Sequence, residues 1–420
     1  MADSVSSNTS LSWLIDPLES TRDAAEGAYQ FAGDRRAWLV PLILGFALIT
    51  ISAMGGWQNP DDFFFAYLAG WSFLLTTALG GLLFLIFHHL TRASWSVVVN
   101  RINETLVWAF PLLFVLGLPL LFGMHDLYHW THPELYDPSS SHYDEILAGK
   151  RAYLNFPFWC ARMVVYFLAW TIVSYRLYTF SVRQDVDPDP SIPAKLRSTS
   201  AWGLPLTAVT LAFASYDILM SLDPHWFSTI FGVYFFSGGI LSAVAVITLV
   251  ALLLQNLGGQ LQNTITREHY QDLGKYMFGF VVFWAYIAFS QYMLYWYGGI
   301  PEETVWFQHR LQNGWGWHSA FLLGFHFVVP FLILLPRAPK RSHIILSFMS
   351  VWVLVMHWFD MHWVVLPVLR ESGGFHWLDI TCWLGLAGIF GGILMYRLSR
   401  HPLVPQNHPF LSESLHFENA

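Results

Sequence analysis

Residues 63–86 read FFFAYLAGWSFLLTTALGGLLFLI and carry no charged side chain. A helix of that length rises ~1.5 Å per residue, enough to cross the ~30 Å hydrocarbon core of a bilayer. Working outward with the same window finds nine more apolar segments, at 37–54, 102–122, 156–178, 204–221, 230–254, 276–297, 317–335, 344–366 and 378–396. The sequence therefore predicts an all-α polytopic membrane protein with ten transmembrane helices across 37–396. A segment 1–36 precedes them and a tail 397–420 follows.

Composition agrees. Only 12% of the 420 residues are charged, about half of the ~25% usual in soluble domains. Such a chain lacks the polar shell that a water-soluble core requires. Aromatic residues make up 18%, including 21 Trp, a residue that collects at membrane interfaces. The net charge of −7 comes mainly from acidic loops and tails, so nucleic acid is not expected as a partner. The two cysteines, Cys160 and Cys382, lie in apolar stretches with no C-x-x-C or four-cysteine run. The chain cannot by itself hold an iron–sulfur cluster or a covalent c-type haem. Residues 1–34 contain no apolar run ahead of a small-residue cleavage site, so no secretory signal peptide is expected.

Charge gives the ten spans a direction. Lys150, Arg151, Arg162, Arg310 and Arg370 fall on one side, and the other sixteen of the 21 basic residues, Arg22, Arg35, Arg36 and Arg92 among them, fall on the opposite side. Basic residues stay in the cytoplasm during insertion, so both termini are expected there. The outer side then owns the long segment 123–155, either a cap over the helices or a surface for partners. Spans two to five and six to nine, about 63–221 and 230–366, read as two similar four-helix bundles flanked by one helix at each end. The pairs Tyr216-Asp217 and Phe359-Asp360 fall at matching places in the two halves, and Arg162 falls opposite His318.

Ionisable groups inside a bilayer cost ~3 kcal/mol on insertion scales, so each needs a reason. Asp217 and Asp360 are the clearest cases. His357 shares a helix face with Asp360, being three residues earlier. Span eight adds His326 near mid-bilayer, and span seven adds Tyr286 and Ser290, four apart on one face. The outer ends add His125, Asp126 and Arg162; the inner turn between spans two and three offers His88, His89 and Glu104. Carboxylate, imidazole, phenol and hydroxyl groups joined by water can relay protons. The set reads as two half-channels meeting near the middle. For each residue alone the structural alternative is as strong: Asp217 could simply pair with Arg162, and His357 could hydrogen-bond Asp360 for packing. A b-type haem lacks a matching pair of histidines, and the aromatics from Trp284 to Tyr297 fit an interface belt better than a quinone pocket.

Two strings go further. Residues 215–239, SYDILMSLDPHWFSTIFGVYFFSGG, resemble a stretch of the NrfD-like membrane subunits of alternative complex III. So do residues 283–304, FWAYIAFSQYMLYWYGGIPEET, continuing to Trp306 and His309-Arg310. The resemblance covers essentially all ten spans and is nearest the shorter of the two such subunits. It implies ten helices with two central four-helix bundles, in a bacterial cytoplasmic membrane complex that oxidises menaquinol and reduces cytochrome c or an oxidase. It implies no redox cofactor in this chain and no catalysis by this chain alone. Haem c and iron–sulfur clusters are expected on partner subunits. Those partners are a paralogous NrfD-like quinol-binding subunit, an iron–sulfur protein, c-type cytochromes and a terminal oxidase, with membrane lipids around them. A proton path through Asp217 and Asp360 is what the resemblance suggests for this chain. The alternatives are a quinone-binding subunit in its own right and a secondary transporter.

Overall fold

A computed structural model describes residues 29–31, 33–34, 36–258 and 261–419. Arg22 and Arg35 and most of the 1–36 segment lie outside the described residues. All regular structure among the described residues is helical. Ten helices are long and apolar enough to cross a membrane: Leu39–Gln58, Pro60–Thr91, Val97–Leu121, Phe156–Gln184, Ile192–Leu222, Phe231–Asn256, Arg267–Gly298, Trp315–Leu334, His343–Val368 and Trp377–Leu398. They are called spans one to ten below. The chain is a multi-pass membrane protein.

Every segment expected from hydropathy is present, and most are longer than expected. Span five begins at Ile192 rather than 204, and span seven at Arg267 rather than 276. The added turns carry Lys195, Arg197, Glu268, Asp272 and Lys275. These charges end a hydropathy window without ending a helix, because the helix is held by its own backbone bonds and the charged side chains sit at half-buried or exposed positions.

Spans two and six form the centre. Span two is buried along nearly its whole length from Phe65 to His89 and packs against spans five, six, nine and ten. Its closest approach is to span six, where a Cβ on Gly80 would stand 2.0 Å from the Gly239 carbonyl oxygen. Without a hydrophobic drive between helices in lipid, such close backbone packing supplies much of the attraction. The Gly238-Gly239 and Gly391-Gly392 pairs, which a transporter would use as helix breaks, both sit inside unbroken helices. Spans one and ten pack on each other, joined by Ser52 Oγ and Thr381 Oγ1 at 2.7 Å. Spans one, seven and eight turn many large apolar side chains outward, among them Ile43, Phe289 and Leu332.

Two spans are interrupted. Span three breaks at Trp108–Ala109, just before Pro111. Span eight widens into a π-helix over Leu323–Val328, followed by Pro330. Proline has no N–H for the carbonyl four residues back, which is that of His326, and a π-turn absorbs such a defect.

The two membrane faces differ. On one, termed the loop face, segment 123–155 folds as a cap: the Tyr128 hydroxyl donates to the Ile218 carbonyl at 2.8 Å and Lys150 to that of Pro224 at 2.6 Å. On the other, the tail face, the chain after span ten folds back across the helix ends. The Leu403 N–H donates to the Tyr29 carbonyl at 2.8 Å, so the segment ahead of span one meets the segment after span ten there. Both cysteines are free thiols.

Candidate functional site

The two intramembrane carboxylates have different surroundings. Asp217 is wholly buried in span five and faces span four. Arg162 donates to it twice, through Nε at 2.8 Å and Nη2 at 2.9 Å, and the Tyr166 hydroxyl donates at 2.8 Å. The same guanidinium donates to the Tyr153 carbonyl at 2.9 Å and lies over the Tyr153 and Phe158 rings. This is a bidentate ion pair clamped by aromatic faces, the packing role that was the structural alternative for Asp217. A pair of that kind fixes both charges in place.

Asp360 has no such cation. Among the described residues no Arg or Lys nitrogen comes within 4.0 Å of it, and only His357 Nδ1 reaches that distance. Its partners are neutral donors: the Tyr234 hydroxyl on span six, in a short contact, and the Trp284 indole N–H on span seven at 3.0 Å. His357 continues inward, its Nε2 2.8 Å from Thr76 Oγ1 on span two, and its ring fills the space left by Gly238. Thr77 and Ser242 extend the polar seam, their hydroxyls 2.8 Å apart. His326 lies edge-on to Trp284 with ring centroids 4.2 Å apart, in the π-helical turn of span eight. Spans two, six, seven, eight and nine thus build one buried site, and it unites three predicted residues, Asp360, His357 and His326. Tyr234, Trp284 and Thr76 complete it. Sequence gave no reason to choose Tyr234 or Thr76, because a lone hydroxyl in a span is ordinary.

Tyr286 and Ser290 do not join it. Span seven turns Trp284, Ile287 and Gln291 inward at helical spacing, which leaves Tyr286 on the lipid-facing side with 64% of its surface exposed. The i, i+4 spacing was right and the face was wrong.

Near the tail face, Glu104 accepts from Arg101 Nε at 2.9 Å and from Ser181 at 2.7 Å, and Arg101 also binds Asp185 at 2.9 Å. His88 and His89 are buried apart from these bonds, with His88 Nδ1 2.6 Å from the Phe84 carbonyl and its ring against Trp95 and Tyr276. The tail covers them. The Gln406 N–H donates to Asp185 at 3.0 Å, and Ser414 links the Trp95 carbonyl to His269. Burial pushes the His408 imidazole of this tail down to about 4.

On the loop face, His125 is exposed and stacks on His132 at 3.9 Å, with Asp126 beside it. Partial burial, with Asp61 nearby, raises the Asp126 carboxyl above its usual range. Neither residue bonds to the Arg162–Asp217 pair. A further network was not anticipated: His362 Nε2 is 3.2 Å from Asp379, which binds Arg370 at 2.7 Å, and Arg370 binds Asp62 at 2.7 Å. Asp379 also accepts the His376 N–H at 2.8 Å. That H-x-x-D capping pattern at the start of span ten was a signal available in the sequence.

Among the described residues no group of three or more His, Cys, Asp or Glu converges as metal ligands would. Comparison with protein-family models and with curated proteins returns no match.

Proposed function

We propose that the chain is an NrfD-like membrane subunit of a respiratory quinol:cytochrome c or oxidase oxidoreductase of the alternative complex III type, nearest its shorter subunit, ActF. In this reading it lies in a bacterial cytoplasmic membrane with both termini inside, scaffolds the redox subunits, holds no redox centre and carries protons. Its spans form two four-helix bundles, about 63–221 and 230–366, with spans one and ten beside them. Menaquinol is oxidised close by, and haem c and iron–sulfur clusters belong to partner subunits.

One observation carries the proton role: Asp360 is fully buried among neutral hydrogen-bond donors, and among the described residues no guanidinium or ammonium group pairs with it. A carboxylate so placed can take up and release a proton at little cost to its neighbours, whereas one clamped by arginine cannot. Asp217 is therefore assigned to holding spans four and five together. Asp360 is assigned to the proton path, with His357 and Thr76 on one side and Tyr234 on the other. The helix interruptions fall in spans three and eight, which a four-span repeat would not pair, and this disfavours a transporter.

The test has two stages. Purification from native membranes should bring down proteins containing haem c and iron–sulfur clusters; isolation without them sinks the assignment to the complex. In liposomes, Asp360→Asn should abolish quinol-driven proton release while Asp217→Glu retains it. Unchanged release in Asp360→Asn would remove the proton role.

A further inference from the structure

A cavity of about 320 Å³ opens between span seven, the start of span eight and the loop-face helix Pro301–Leu311. Its walls are aromatic, with Trp284, Tyr292, Trp306, Phe307 and Trp363 among them. Its lining includes exposed Phe289 and Leu323, in spans seven and eight, and exposed Leu311 on the loop-face helix.

Two buried polar side chains line this apolar space, and both present donors. Arg310 is 2% exposed. Its guanidinium lies 3.4 Å from the centre of the Trp306 ring and donates to three backbone carbonyls: Trp363 at 3.3 Å, Trp306 at 3.0 Å and Val364 at 2.6 Å. Carbonyls satisfy three of its five N–H groups but do not neutralise its charge. Among the described residues no carboxylate forms an ion pair with it; its acceptors are backbone carbonyls, and Asp223 acts on it only through space. Gln291, 4% exposed, is the second, and its side-chain Nε2 is buried without a hydrogen-bond partner. Two other polar side chains of the wall, Tyr234 and Ser319, are engaged. The Tyr234 hydroxyl donates to Asp360, and Ser319 Oγ donates to the Arg310 carbonyl at 2.6 Å while accepting from Trp363 at 2.8 Å.

A buried, uncompensated cation beside an unpaired amide, at the end of an apolar cleft that opens to lipid, lacks an anion with several acceptor oxygens. We infer that this cavity binds an anionic phospholipid, its phosphodiester held by Arg310 and Gln291 and its acyl chain leaving over Phe289 and Leu323. The charge on Arg310 selects an anionic head over a neutral one. Charge-assisted bonds to phosphate are the strongest that a guanidinium makes. The lipid would stand against Tyr234 and Trp284, the two donors to Asp360, and so would seal that site from the bilayer. The inference does not depend on what Asp360 does.

The full chain, in the membrane assembly from which it is isolated, is exchanged into nanodiscs of equal parts phosphatidylglycerol and phosphatidylcholine. Lipid retained through detergent washing is then counted by native mass spectrometry. One phosphatidylglycerol per chain should persist, favoured over phosphatidylcholine by about tenfold or more, the ratio that one charge-assisted contact supplies. Arg310→Met should lose it. Because that change also frees three carbonyls, Gln291→Leu is the second variant; it leaves those bonds intact and should weaken retention several-fold. Exposed Arg183→Ala serves as the control and should retain the lipid. Equal retention of both lipids, undiminished retention in folded Gln291→Leu, or a neutral prenylated ring in place of the phospholipid would each overturn the inference.

Discussion

Replacing Asp217 by Asn, and Asp360 by Asn, separates two uses of a buried carboxylate by their cost. At Asp217 the side chain keeps its size, so no cavity opens, but the negative charge goes. One oxygen facing the Arg162 and Tyr166 donors becomes an NH₂ group. Breaking a buried pair from one side costs ~3–5 kcal/mol, because the remaining charge stands uncompensated. The Arg162 side chain is 9% exposed and still holds the Tyr153 carbonyl and two ring faces. The lower end of that range, ~3 kcal/mol, is therefore expected. At Asp360 no cation is stranded. The amide oxygen can still accept one bond, and the Tyr234 hydroxyl can turn to accept from the amide NH₂, so ~1 kcal/mol is expected. Reversible unfolding in mixed micelles measures both. The double variant Arg162→Met/Asp217→Leu should regain most of the loss, since a packed apolar pair often matches a buried ion pair. The Tyr166 hydroxyl would then lack its acceptor and the Tyr153 carbonyl its donor. Equal losses in the two single Asn variants, or a double variant as unstable as both singles added, would refute this account.

Three further outcomes follow from particular contacts. Gly80→Ala places a methyl against the Gly239 backbone and should cost ~1–3 kcal/mol or more by forcing spans two and six apart; Gly279→Ala, which meets nothing within 4 Å, should be neutral in the same unfolding measurement. The docked tail holds His408 at about 4, against ~6.5 for a free imidazole. Between those values the detached tail binds a proton that the docked tail does not, so docking weakens as pH falls from ~6.5. Amide exchange in residues 401–419, corrected for intrinsic rates, should accelerate from pH 7 to pH 5 and stay flat in His408→Gln; equal protection at both values in the unaltered chain would contradict this. Tyr234→Phe should depress quinol-driven proton release while Tyr286→Phe leaves it unchanged, and the opposite result would return Tyr286 to the path.

The count of spans could be read from sequence because each span is a local property: about twenty residues without charge, whatever they pack against. Helix ends were harder to place, because turns such as Ile192–Leu196 continue past the uninterrupted apolar run, where hydropathy carries no signal. The candidate site was legible in its rarest residues, the buried carboxylates and His357, whose cost inside a bilayer marks them. What could not be read was their difference. Tyr216-Asp217 and Phe359-Asp360 are nearly the same string in nearly the same place. Asp217 meets an arginine 55 residues away, while Asp360 meets a tyrosine 126 residues away and a tryptophan 76 away. Whether a buried aspartate is locked or free to titrate is decided by which helices the fold brings against it. A repeat that puts Arg162 opposite His318 would give both halves comparable polar partners, yet the buried arginine of the second half, Arg310, binds backbone carbonyls and leaves Asp360 to neutral donors. In the proposed reading, that difference in partners assigns Asp217 to holding helices together and Asp360 to moving a proton.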